Sequence, residues 1–205
     1  MNALALLFTL TLAGLPPSAR RAHPSSAAPA AEPAAPEGAA ALSDAEVAER
    51  AVAYLGAIDR PVSAETWRAL GPRAVAPLEA VARDPQALPT RRSSALSALS
   101  AIGGERARQV VLDAVRAGRE PYAVRASALR AAGRLLDAKA LAAELRPVME
   151  GRAEAALRAT AAEVLAHHGG AGGCTAVKKQ ALLERGAARV GFERALARCG
   201  GSPSP

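Results

Sequence analysis

Aromatic side chains are almost missing from this chain. One Trp, two Tyr and two Phe occur in 205 residues, although half of the residues are hydrophobic. A core with so few rings must be filled by alanine and leucine, which suits closely packed short helices better than a sandwich of sheets. Runs of Val, Ile, Thr and Tyr alternating with polar residues are also absent, so no strands are predicted and the fold class is all-α. The longest apolar run, residues 4–15, has 12 members, whereas a helix needs about 20 to span a bilayer.

Groups that carry chemistry are equally sparse. The glycines at 169–173 lack a following Lys-Ser/Thr, so they do not make a phosphate-binding loop. Ser93, Ser94, Ser97 and Ser100 share one predicted helix with no histidine near them in sequence. His167 and His168 are adjacent, and neighbours on a helix point about 100° apart, which is poor geometry for one ion. Glu79, Asp113, Glu144, Glu154 and Glu163 fall mostly at solvent-facing helical spacings. The expectation is a protein with no catalytic residues, no metal and no cofactor.

What is present begins with two segments unlike the rest. Residues 1–22 read as an export signal: the apolar run is followed by Leu15-Pro-Pro-Ser-Ala, with small residues for cleavage near Ala19 or Ala22. No basic residue precedes the run, and no cysteine follows it to carry a lipid anchor. Residues 23–41 are alanine set with Pro24, Pro29, Pro33, Pro36 and Gly38, a composition with nothing bulky to bury and expected as a disordered spacer. Residues 42–200 then form the folded domain, and 201–205 a disordered tail. Ser43-Asp-Ala-Glu46 has the pattern of a capping box. The helix it opens carries Val47, Ala51, Tyr54 and Leu55 on one face and ends near Gly56. Arg60-Pro61 interrupts, a short helix from Ser63 carries Trp67 and Leu70, and a third segment holds Val75, Leu78 and Val81 with Pro77 in its first turn.

The organising feature is a repeat. Arg92-Ser-Ser-Ala-Leu-Ser-Ala-Leu, Arg125-Ala-Ser-Ala-Leu-Arg-Ala-Ala and Arg158-Ala-Thr-Ala-Ala-Glu-Val-Leu begin 33 residues apart. Ala95, Leu96 and Leu99, then Ala128, Leu129 and Ala132, then Ala161, Ala162 and Leu165 form one apolar stripe per repeat. Breaks follow at Gly103-Gly104, Asp137 and Gly169-Gly170, and a second apolar segment follows each of the first two breaks. A fixed interval of this size marks stacked helical hairpins that share a core.

Val124-Arg-Ala-Ser-Ala-Leu-Arg-Ala-Ala-Gly133 and Gly71-Pro-Arg-Ala-Val-Ala-Pro-Leu78 resemble, respectively, the first helix and the turn into the second helix of HEAT-like repeats. The similarity is to the short subtype also seen in phycobilin lyases, and covers roughly residues 60–170. It implies an α-solenoid with a right-handed superhelix. Function is not implied with it, because these motif residues are packing residues.

Cys174 and Cys199 are the only cysteines. In an exported chain an isolated pair is most simply a disulfide, here a staple for the terminal repeat; the rival is a free or redox-active thiol pair, which the absence of Cys-x-x-Cys disfavours. The arginines form two series. Arg92, Arg125 and Arg158 stack into a ladder if the repeats stack, each expected to pair with a nearby acid or carbonyl. Arg73, Arg106 and Lys139 recur just after the breaks and form a candidate partner-binding edge. The net charge is +7, and such an edge suits an acidic protein, a polysaccharide or a membrane face.

These features favour an exported, monomeric, non-catalytic scaffold, periplasmic or secreted, binding a protein partner through its second-helix face. It would have no nucleic-acid partner and no membrane span after signal cleavage. The alternatives are a phycobilin-lyase-like enzyme or chromophore carrier, which the small-residue interior serves poorly, and a helical-repeat nucleic-acid binder if the chain is not exported.

Overall fold

The computed structural model describes residues 42–57 and 62–200. The expected signal and spacer (1–41), the Arg60-Pro61 interruption and the tail (201–205) lie outside the described residues. Among the described residues there are ten α-helices and no strand. The chain is all-α.

Local chemistry sets the helix starts. At α1 (Asp44–Leu55) Ser43 accepts from the Glu46 backbone N–H while Glu46 accepts from the Ser43 backbone N–H, both halves of the capping box. Ser63 caps α2 (Ala64–Leu70) by accepting from the Thr66 backbone N–H, and a single 3-10 turn, Pro72–Ala74, leads into α3 (Val75–Arg83). Pro77 sits in the first turn of α3, where its missing N–H has no helical acceptor to lose. Trp67 and Tyr54 meet edge to face with centroids 5.6 Å apart.

Three hairpins follow: α4 (Pro89–Ile102) with α5 (Glu105–Arg116), α6 (Tyr122–Leu135) with α7 (Ala138–Glu150), and α8 (Ala155–His168) with α9 (Gly170–Ala181). Helix α10 (Ala188–Gly200) is the last element among the described residues. The breaks lie where expected. Gly103 and Gly104 turn the chain at φ of 78° and 88°, values glycine adopts without strain, and Asp137 caps α7 by accepting from the Ala140 N–H.

The nine stripe residues named above are all buried. Burial on these helices is broader than a stripe, however: α6 also buries Val124, Ala126, Ser127, Ala131 and Gly133. The reason is position. Helix α6 packs on both α4 and α8, and α8 in turn packs on α10, so each central helix is covered on two sides. Alanine and glycine on both sides let the backbones approach.

One element departs from the sequence expectation. The glycines at 170–173 are the first turn of α9 rather than a linker to it. A Cβ on Gly173 would strike the Leu165 carbonyl oxygen, so α9 can start against the end of α8 only with glycine there. Helix α7 runs through Pro147. Proline has no N–H, so the Ala143 carbonyl four residues earlier loses its helical donor.

Candidate functional site

Arg92, Arg125 and Arg158 are each the fourth residue of their helices, α4, α6 and α8. The packing of α4 on α6 and of α6 on α8 therefore sets them in a row between hairpins.

Arg92 is 5% exposed; its Nε donates to the Ala82 carbonyl at 3.0 Å and its Nη2 to Glu120 at 2.7 Å. Arg158 donates through Nε and Nη2 to both oxygens of Glu184, at 3.0 and 2.8 Å, and through Nη1 to the Ala153 carbonyl at 2.6 Å. The Arg158 guanidinium holds the Glu184 carboxyl below the usual carboxylate range against the opposing effect of burial. Both arginines meet an acid and a carbonyl.

Arg125 differs. Its Nε is buried without a hydrogen-bond partner, and Arg125 forms no ion pair among the described residues. Glu120, the partner of Arg92, lies 28 residues after it; the same step from Arg125 arrives at Ala153. The spaces around the two arginines differ accordingly. Arg92 and Glu120 share a cleft of about 230 Å³. Arg125 lines one of about 590 Å³, between the end of α5 and the middle of α7, with Val115, Arg116, Ala143, Pro147 and Arg152 also in its wall.

The second cationic series is largely neutralised. Arg73 donates to Asp44 at 3.2 Å and to the Leu42 carbonyl at 2.6 Å, and Arg106 donates to Glu79 at 2.6 Å. Lys139 is exposed and in no ion pair among the described residues. Among the described residues, Lys139 is thus the one member of this series outside an ion pair.

The acids read as solvent-facing are mostly cross-helix partners. Glu79 meets Arg83 and Arg106, Asp113 meets Arg83, Glu144 meets Arg116, and Glu163 meets Arg194. Only Glu154 stays exposed and unpaired, at the start of α8. The serines contribute to a polar seam between α4 and α6: Ser127 donates to the Ser93 carbonyl at 2.8 Å, and Ser100 accepts from Arg134 at 2.8 Å.

A groove on the first-helix side escaped the sequence reading. Arg130 and Arg134 of α6, Thr160 and His168 of α8 and Arg198 of α10 surround about 430 Å³. Burial, then the charges of His167 and Arg134, push His168 below the ordinary histidine value. The rings of His167 and His168 meet edge to face at 4.4 Å. The spacing of Arg130 and Arg134 was a usable signal, whereas the arrival of Arg198 depended on α10 packing against α8.

Cys174 of α9 and Cys199 of α10 lie with sulfurs 2.11 Å apart and Cα atoms 5.5 Å apart, a disulfide geometry. Among the described residues no three His, Cys, Asp or Glu side chains are grouped to hold a metal ion, and no helix is long and apolar enough to cross a membrane. No protein-family model and no curated protein matches the chain.

Proposed function

We propose that the chain is an exported α-solenoid of HEAT-like hairpins, wound as a right-handed superhelix, that binds another protein in the cell envelope and performs no chemistry itself. The observation that carries this reading is the shared register of the three hairpins. The same positions of α4, α6 and α8 are buried in each turn of the repeat, and the same position carries the arginine between hairpins. Hairpins built this way expose a row of second helices, the kind of extended surface that stacked repeats offer to partners. The disulfide between α9 and α10 suits an oxidising compartment and ties α10, which packs on α8, to the last hairpin.

The test is photo-crosslinking in the native host. A crosslinker replaces Arg108 or Arg146 on the exposed faces of α5 and α7, or Ser94 or Arg130 on those of α4 and α6. One discrete envelope protein captured from positions 108 and 146, but not from 94 and 130, is the expected result. Capture from the first-helix positions alone contradicts the face, and no capture from any of the four contradicts the scaffold.

A further inference from the structure

We propose that the cleft at Arg125 is a docking site for an acidic side chain of a partner polypeptide, which supplies in trans the carboxylate that the chain supplies in cis to Arg92 and Arg158. Glu120 and Glu184 come from segments that connect successive helices, so in both cases a polypeptide loop delivers the acid to the arginine. From Arg125 the Arg92 step of 28 reaches Ala153 and the Arg158 step of 26 reaches Gly151, neither with an acid to offer, and Glu154 of the same loop forms no ion pair with Arg125 among the described residues. The Arg125 Nε is left buried and without an acceptor. The Nε itself is closed to solvent, so a partner's carboxylate meets the guanidinium from the cleft that the side chain lines.

The charge of the wall fits. Arg116 is neutralised by Glu144 at 3.0 Å, while Arg125 and the exposed Arg152 form no ion pair among the described residues. The cleft therefore keeps an excess of two positive charges.

A second observation favours a polypeptide over a small free anion. Pro147 deprives the Ala143 carbonyl of its helical donor, and Ala143 and Pro147 both line this cleft. The wall thus sets a guanidinium beside the Ala143 backbone, whose carbonyl gets no helical N–H from residue 147, and beside the apolar surface of Val115 and Val148. A peptide brings a matching N–H with its acid; acetate or phosphate does not.

The choice of a polypeptide rests on the scaffold reading above, but the carboxylate site does not. The experiment uses the full oxidised chain and follows the Arg125 Nε–Hε resonance, assigned by its disappearance in Arg125→Lys. The probes are the peptide Ac-Ala-Glu-Ala-NH2, its glutamine counterpart, sodium acetate and sodium phosphate. The glutamate peptide is expected to move the resonance saturably, with the glutamine peptide and both salts at least about tenfold weaker. Ala153→Glu restores the missing internal acid. It is expected to shift the resonance without peptide, to raise the melting temperature and to weaken the peptide at least about tenfold.

Absence of a shift with the glutamate peptide overturns the site, as does undiminished binding to a folded Ala153→Glu protein. Acetate or phosphate binding as tightly as the peptide overturns the polypeptide assignment. Crosslinks from positions 108 and 146 that survive such a result leave the scaffold reading standing.

Discussion

Arg158 and Glu184 meet through two parallel hydrogen bonds, 3.0 and 2.8 Å long, with the Glu184 side chain only 5% exposed. This pair fastens α8 to the segment between α9 and α10. Removing one partner of a buried pair leaves the other uncompensated, so Glu184→Gln is expected to lower unfolding free energy by about 3 kcal/mol. The pH dependence has a definite sign. The folded Glu184 binds its proton more weakly than an ordinary carboxylate, so its contribution is present above the unfolded value of about 4.3 and is lost as pH falls through the lower folded value. Urea unfolding at a series of pH values should show a shallower acid limb in Glu184→Gln.

The disulfide closes a 25-residue separation, and on the chain-entropy model it contributes about 3.5 kcal/mol. Replacing both Cys174 and Cys199 by serine is expected to lower stability by that amount. Reductant should lower the wild-type melting temperature and leave the double variant unmoved.

A matched pair of glycines tests the packing of α9 on α8. A Cβ on Gly173 meets the Leu165 backbone oxygen, whereas one on Gly172 meets nothing within 4 Å. Gly173→Ala is expected to destabilise by about 2 kcal/mol through overpacking. Gly172→Ala is expected to stabilise by up to about 1 kcal/mol through helix propensity. Denaturant titration of the two variants decides both signs.

His168 gives a second pH window. Its neighbours are His167 on α8, Arg130 and Arg134 on α6 and Arg198 on α10, with Glu163 the one acid lining the groove. Burial and the nearby positive charges lower its folded value. Its contribution is therefore full above the unfolded value of about 6.5 and is lost as pH falls through the folded one. Melting curves between pH 7 and 5 should fall more steeply for the wild type than for His168→Gln.

Much of the helical order was legible because it is local. The capping box at Ser43, the turn at Gly103-Gly104 and the 33-residue spacing of Arg92, Arg125 and Arg158 are all read within one hairpin or between identical ones. The acid that meets each arginine was not legible. Arg83 finds Asp113, Arg106 finds Glu79 and Arg116 finds Glu144, over separations of 27 to 30 residues that only the packing of successive hairpins brings together. The same reason hid the pairing of Arg73 with Asp44 and of Arg106 with Glu79. Gly170–Gly173 misled in another way. Glycine runs signal breaks by propensity, but here close approach to Leu165 decided.

The most direct test of the exported-scaffold account is the intact mass of the protein recovered from its host, fractionated by compartment and run without reductant. The account predicts an envelope or secreted chain beginning near residue 20–29, two hydrogens lighter than its dithiol form because Cys174 and Cys199 are joined. An uncleaved cytosolic chain with both thiols free would contradict it.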